Sequence, residues 1–478
     1  MISQDKFLRK FIALTLAGVL SCGLLSGCQF SSIDEYLESL GMKDASDSTS
    51  EASSDGTYYV SEDVAVNSSA TVSTSAEADE GASFTSEDEA PAEPDQTTTA
   101  EYSNKKVSGS VSEKELKAAR EAIGLTDSNL ETIKKKQEGL YAYERLTNEG
   151  KTLYAEILTI LENQALDILV STTSDEAVEL IFDYVMMDHP EIFYVDGYQY
   201  TNHTRGDVIE MITFTGNYTY TPEQVADKKA KINDAVNKCL TNAPSSEDEY
   251  YAIKYIYEYL ITNTDYDLDA EDNQNICSVF INGKSVCNGY AKAAQYLLNK
   301  IGIKCTLVTG TVDTKSSKGV RHAWNLVQCN GTYYYVDVTW GDSSYQTSNG
   351  ETADATKLPA VNYDYLCVTS DDIGKTHHIS DLIDMPVCSS MTDNYYVRED
   401  EYFKSAEMSL IKDLFDRRYK DGSNNVTMKC ATKEVYDSIF EQLITNKGVF
   451  DVLQGDTSSV SYTTFAETRT IIFWIDAN

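Results

Sequence analysis

The chain has 478 residues, with 39 basic against 76 acidic side chains and a formal net charge of −37. That balance excludes binding nucleic acid, or anionic lipid, through a basic patch. An acidic surface of this kind suits a soluble, secreted protein.

At the N-terminus Lys6, Arg9 and Lys10 precede an apolar run over 11–25. The run is short for a membrane span and reads as a signal peptide over 1–27. It ends in Leu25-Ser26-Gly27-Cys28, which resembles a bacterial lipobox. That implies cleavage before Cys28 and lipidation of its thiol and new amino group. Two acyl chains anchor stably where one is marginal. The expected location is the extracellular face of a bacterial cell membrane. Residues 28–110 are rich in Ser, Thr, Ala, Asp and Glu, without a sustained apolar period. Such a segment buries too little apolar surface to offset its ordering entropy, and acidic repulsion extends it. It reads as a disordered tether.

The remaining ~370 residues exceed one typical domain. Over 111–245, helical spacing occurs at 112–123, 131–143, 148–170 and 175–187. Pro190 stops the last of these, and an apolar strand follows near 192–195. A second strand alternates over 211–220, and 222–240 reads as a helix. This predicts a mixed α/β domain. His189, just before Pro190, reads as a turn residue. A Ser246-x-x-Glu249 capping box opens the next helix, which runs to about Ile261 and begins a core over 246–385. The acidic stretch at 265–269 invites a calcium reading. It fails as an EF-hand loop, because Ala270 stands where glycine is needed and Ile276 where a bidentate Glu is needed. No metal site and no cofactor are expected.

Cys287 follows in Gly-Lys-Ser-Val-Cys-Asn-Gly-Tyr-Ala, residues 283–291. Tyr290, Ala293, Leu297 and Ile301 recur at helical spacing, so Cys287 falls at or just before the first turn. Unpaired N–H groups there carry roughly half a positive charge. That field favours the thiolate, which is the nucleophilic form. The same N–H groups, at Asn288 and Gly289, can bind an oxyanion. Gly289 lets another part of the chain approach closely.

His322 and Asp337 are placed by register. Two apolar, β-branched runs, 324–329 and 332–339, flank Asn330-Gly331, the strongest two-residue hairpin signal. If Cys329 faces Thr332, His322 faces Thr339. Asp337 is then its diagonal neighbour on the same face. Cysteine, histidine and aspartate in this order offer an attacker, a base and a group that orients the base. The rival reading of Cys287 is a packed core residue, and of His322 a capped one.

These residues carry a family resemblance. Asn282-Gly283-Lys284, Cys287-x-Gly-Tyr-Ala, His322-Ala-Trp-Asn and Asp337-Val-Thr-Trp together resemble the core of the transglutaminase-like superfamily, in its bacterial secreted branch. Tyr365-Leu-Cys-Val and His377-His378 resemble the segment that closes that core. The resemblance implies an α+β, papain-like fold with Cys287, His322 and Asp337 as a triad. Asn288, Gly289, Trp324 and Trp340 would support it. Where Cys277 stands, related sequences often have an aromatic residue; here it reads as a small buried hydrophobe.

After Pro386 the pattern changes. A strand over 425–430, a helix over 433–443 and a last strand over 470–475 predict a small α/β domain at 386–478. Of the ten cysteines, Cys22 leaves with the signal and Cys28 takes lipid, so eight remain. If Val312 faces His322 across neighbouring strands, Cys305 faces Cys329, a disulfide candidate. Two functions fit. One is a surface-anchored thiol enzyme that attacks an amide or ester carbonyl of a protein, peptide or cell-wall peptide through a thioester. The other is a non-catalytic binding module that keeps the fold.

Overall fold

The computed structural model describes residues 68–73, 104–107 and 112–475, apart from 206, 246, 314–317, 343–358, 456–457 and 467. The signal segment, Cys28 and most of the expected tether lie outside the described residues. Two pieces of the tether span are strands, β1 (Ser68–Ser73) and β2 (Asn104–Val107). The described residues fall into two compact units: 104–107 with 112–219, and 68–73 with 220–475.

The first unit packs four helices with one sheet. The helices are α1 (Glu113–Ala122), α2 (Asp127–Lys136), α3 (Asn148–Glu162) and α4 (Asp175–Asp188). The sheet adds β3 (Ile168–Val170), β4 (Val195–Arg205) and β5 (Val208–Tyr218) to β2, in the order β2-β4-β5-β3. The predicted helix over 148–170 ends early. Gln164 and Asp167 take φ of +47° and +54°, left-handed conformations that no helix continues through. The chain then turns into β3. Likewise the helix expected at 131–143 starts at Asp127 and stops at Lys136, before Gly139 at φ +94°.

A buried carboxylate ties this unit together. Asp188 accepts from the backbone N–H groups of Ala142 (3.1 Å) and Tyr143 (2.9 Å) and from the Tyr154 hydroxyl (3.1 Å). Burial pushes its pKa up, and these bonds offset the push only in part. His189 pairs through Nδ1 with Glu191 at 2.8 Å, in the turn that Pro190 imposes.

The second unit begins with α5 (Pro222–Leu240), so the chain divides at 219/220 and not near 245 as the sequence suggested. Side-chain contacts explain the difference. Lys228 of α5 bonds Asp272 at 2.8 Å, and the Tyr255 hydroxyl donates to the carbonyl of Cys239 at 2.9 Å. Tyr255 lies on α6 (Glu249–Asn263), whose N-cap is Asp248, accepting from the N–H of Tyr250. Ser246 of the expected capping box lies outside the described residues. A short parallel pair, β6 (Asp265–Tyr266) and β7 (Lys284–Ser285), leads into α7 (Cys287–Lys300).

α7 packs on an antiparallel sheet of β8 (Cys305–Val312), β9 (Val320–Cys329), β10 (Thr332–Val336) and β11 (His377–Ile379), in the order β10-β9-β8-β11. The Asn330-Gly331 turn, with φ of +49° and +81°, sets Cys329 opposite Thr332. The ladder stops at Val336↔Asn325 and does not run on to Thr339. At Asp337 the chain leaves the sheet to cap α8 (Val338–Gly341). The β8–β9 register differs by two residues from the expected one. Cys305 faces Val327, so it does not face Cys329. The eight cysteines of the described residues are free thiols, all buried.

Two further short helices, α9 (Ser370–Ile373) and α10 (Tyr395–Arg398), lead to the C-terminal part. There β12 (Tyr402–Phe403), α11 (Met408–Lys420), β13 (Asn425–Cys430), α12 (Lys433–Phe440), β14 (Ser459–Phe465) and β15 (Thr470–Trp474) form a sheet in the order β1-β14-β15-β13-β12 with two long helices. It has its own core, around Phe415, Met428, Ile439, Ile471 and Phe473. Lys429 joins it to Asp364 of the preceding segment at 2.5 Å.

Candidate active site

Local sequence explains how Cys287 comes to lead a helix. Gly283, at φ +66°, ends the wide turn Ser278–Asn282 and releases the chain into β7. Val286 is extended, with φ −115° and ψ −178°, and has no polar side chain to cap the helix. Cys287 is the first helical residue and is buried. Gly289 is required where it stands. A Cβ there would lie 1.8 Å from Ser285 Oγ and 2.8 Å from Ser278 Oγ. Those two hydroxyls bond each other at 2.6 Å beneath the first turn. Further along, the Tyr290 hydroxyl reaches the Thr264 carbonyl (2.7 Å) and Asp342 (2.8 Å). Asn325 of β9 donates to the carbonyl of Ala291 at 2.9 Å, which fixes α7 on the sheet.

His322 projects from β9, the strand that α7 packs against, and is buried. Its Nε2 lies 2.8 Å from Asp337 Oδ2. Asp337 is fully buried, and both of its oxygens are occupied. Oδ1 accepts from the backbone N–H of Trp340 (3.1 Å), while Oδ2 faces Nε2 of both His322 and His377 (2.9 Å). Burial alone would raise this carboxyl; the two imidazoles outweigh it and hold Asp337 well below the usual carboxylate range. A carboxylate can only accept, so both Nε2 atoms carry protons. For a neutral His322 this leaves Nδ1 as the nitrogen with a lone pair.

His377 is the residue that sequence reasoning noticed without giving a role. Alternation along β11 turns His377 inward and His378 outward. The His377 ring lies against Trp340 (4.8 Å), Trp324 (4.9 Å) and His322 (5.4 Å). Its Nδ1 is 2.8 Å from the Thr376 hydroxyl. Burial keeps His377 below the usual imidazole range, against the opposing pull of Asp337 and of the Ile373 carbonyl. Trp324 and Trp340 therefore wall the pair of histidines. Their indole N–H groups are buried without a partner among the described residues.

Around Cys287, Asn288 Nδ2 donates to Gln274 Oε1 (2.7 Å), and Lys292 Nζ donates to the Gln274 carbonyl (3.0 Å). Burial brings Lys292 down to about 8, while the charge of a Cys287 thiolate works against that shift. Lys292 also went unnoticed in the sequence, where it reads as an ordinary helix-surface lysine. Four other thiols are raised by burial. Burial pushes Cys239 and Cys388 up to about 11 and Cys277 and Cys430 up to about 12. They are inert at neutral pH. Among the described residues, His322, Asp337 and His377 are the set with the donor types for a metal, their atoms lying within 4.8 Å of one another. With both Nε2 atoms protonated, the same atoms form a proton-holding network around Oδ2.

Residues 217–338 match the family model of the transglutaminase-like superfamily. The match takes in α5 to α7 and β8 to β10, with Cys287, His322 and Asp337 inside it. A stretch of 135 residues is 25% identical to the Kyphoscoliosis peptidase of Mus musculus, covering 26% of this chain and 20% of that protein. The chain thus spans about a fifth of that relative's length. Solved structures with partial similarity include a TGase, at 12% identity and TM-score 0.23, over 35% of this chain and 57% of the other. A protein from Cytophaga hutchinsonii assigned to the cysteine proteases shows 12% identity and TM-score 0.20, over 30% and 62%.

Proposed function

From the premise of a transglutaminase-like domain over 217–338, we propose that this protein is a cysteine acyl-transfer enzyme with Cys287, His322 and Asp337 as its triad. The observation that carries the reading is the 2.8 Å bond between a fully buried Asp337 and Nε2 of His322, which lies on the strand against which the helix led by Cys287 packs. His322 Nδ1 takes the thiol proton, giving a thiolate and an imidazolium. The thiolate attacks the carbonyl carbon of an amide or ester, and the carbon–sulfur bond forms as the carbonyl electrons move to oxygen. First-turn N–H groups of α7 stabilise that oxyanion. Collapse expels the amine or alcohol, which takes the proton from His322, and leaves a thioester on Cys287. Water or an amine then attacks the thioester, giving up a proton to His322, and the thiol leaves. Water gives hydrolysis; an amine gives a cross-link. Asp337 holds the imidazole in one tautomer throughout.

The substrate in this proposal is a protein, peptide or cell-wall peptide. Lipidation at Cys28 would anchor the enzyme to the outer face of a bacterial membrane, and the acidic segment would hold it away from the surface. An intact-mass measurement of membrane-fraction protein tests the anchor; an unmodified N-terminus elsewhere removes it. The chemistry is tested by mixing the protein with p-nitrophenyl acetate and mapping acetyl groups by mass spectrometry. A stoichiometric acetyl thioester on Cys287, absent in Cys287→Ala and discharged by an added amine, is the expected result. Acetylation confined to lysines, with no burst of nitrophenol, would leave the domain as a binding module.

A further inference from the structure

Two histidines share one buried carboxylate oxygen, and a three-residue triad accounts for only one of them. We propose that His377 is a positioning residue for the site, a neutral hydrogen-bond donor that fixes the Asp337 carboxylate for His322. The inference rests on the triad reading above.

The argument starts from hydrogen-bond capacity. Asp337 Oδ2 receives His322 Nε2 at 2.8 Å and His377 Nε2 at 2.9 Å, while Trp340 N–H holds Oδ1. Two imidazolium ions side by side in a buried site repel each other, so one ring must stay neutral. His377 suits that part. Its side chain is fully enclosed, and the Thr376 hydroxyl lies 2.8 Å from Nδ1, where it can donate to the lone pair that a neutral Nε2–H tautomer leaves there. Its ring is held between Trp324 and Trp340, which locks its orientation. His322 is then free to gain and lose a proton against a carboxylate whose direction is already set. Without the donor at 377, Oδ2 keeps one partner and the carboxylate is free to turn away from His322, which weakens its hold on the imidazolium. The titratable groups facing Asp337 are His322 from β9, His377 from β11 and the phenol of Tyr257 on α6, while the Tyr365 ring lies 6.0 Å from that of His377. Lys292 is the cation that senses Cys287.

Two substitutions separate donation from packing. His377→Gln keeps an N–H near the Nε2 position and loses the ring. His377→Phe keeps the ring and loses the N–H. The measurement is the rate of Cys287 alkylation by iodoacetamide against pH, in the full folded chain, with urea unfolding run alongside. The expected result is that His377→Phe moves the acid limb of the profile up by about one pH unit, while His377→Gln stays within a few tenths of wild type. The reverse pattern, with Phe like wild type and Gln impaired, overturns the proposal and makes His377 a packing residue. Equal loss of folded protein in both variants, with an unshifted acid limb in what remains, also overturns it. If wild-type Cys287 itself reacts like an ordinary thiol, the triad reading fails first and the role of His377 goes with it.

Discussion

Asp188 and Asp337 are both buried, both hydrogen-bonded through both oxygens, and both next to a histidine in the chain or in space. Their pKa values are shifted in opposite directions. Asp188 is met by two backbone N–H groups and a phenol, none of which can carry positive charge, and burial raises its pKa. His189 beside it turns to Glu191. Asp337 is met by two imidazoles, and its pKa falls well below the ordinary range despite complete enclosure. Burial of a carboxylate is therefore no mark of chemistry in itself. What matters is whether its partners can exchange a proton. The first arrangement holds a turn; in the proposed reading the second holds a base.

The largest expected effect tests the second arrangement. Asp337→Asn puts an amide among N–H donors and forces one imidazole to the wrong tautomer. Cys287 alkylation near neutral pH should slow on the order of a hundredfold, with the fold retained. The matching change at Asp188 should behave in the opposite way. Asp188→Ala orphans the N–H groups of Ala142 and Tyr143 and the Tyr154 hydroxyl, at a cost of about 3 kcal/mol in urea unfolding. The rate of Cys287 labelling in the folded protein should not change. A slowed label would break the distinction between a clamp and an active site.

A smaller effect sharpens it. Asp183, also in the first unit, is raised to about 6 by burial and by Glu179. Its folded pKa lies above its unfolded one, so its contribution to stability is present below about pH 4 and lost as pH rises through 6. Asp183→Asn should therefore stabilise the protein by about 1 kcal/mol at pH 7 and by nothing at pH 4. Denaturation curves at the two pH values decide it. Smaller still is Lys292→Met. Loss of that nearby cation should slow Cys287 labelling a few-fold at pH 6. Above pH 8 the difference should close, since Lys292 itself loses charge near 8. An equal effect at both pH values would make Lys292 a packing residue.

Much of the site could be read in the sequence because its elements are local. Helical spacing after Cys287 sets the helix start, and Asn330-Gly331 sets the β9–β10 register, which together bring His322 toward Asp337. The β8–β9 register could not be read, because no tight turn links those strands and the connection leaves the pairing open by two residues. The same limit misplaced Cys305 relative to Cys329. Alternation alone could not reveal that the ladder ends at Val336, since Asp337, Val338 and Thr339 fit a strand pattern equally well. The N-cap bond from Trp340 N–H to Asp337 decides it in the folded chain. The domain limit near 245 failed for a similar reason, as α5 docks through Lys228–Asp272, a pairing 44 residues apart that leaves no local mark. His377 was visible as a residue but not as a partner, because it reaches Asp337 across 40 positions from an edge strand.

The central claim is that His322, oriented by Asp337, makes Cys287 a thiolate below the pH at which a free thiol ionises. It is tested most directly by the pH dependence of Cys287 alkylation in wild type and His322→Ala, both checked as folded. The account predicts a wild-type rate that is already high near pH 6 and a variant whose rate rises only toward about 8.5, the ordinary thiol value. Two superimposable curves with a single midpoint near that value would contradict it.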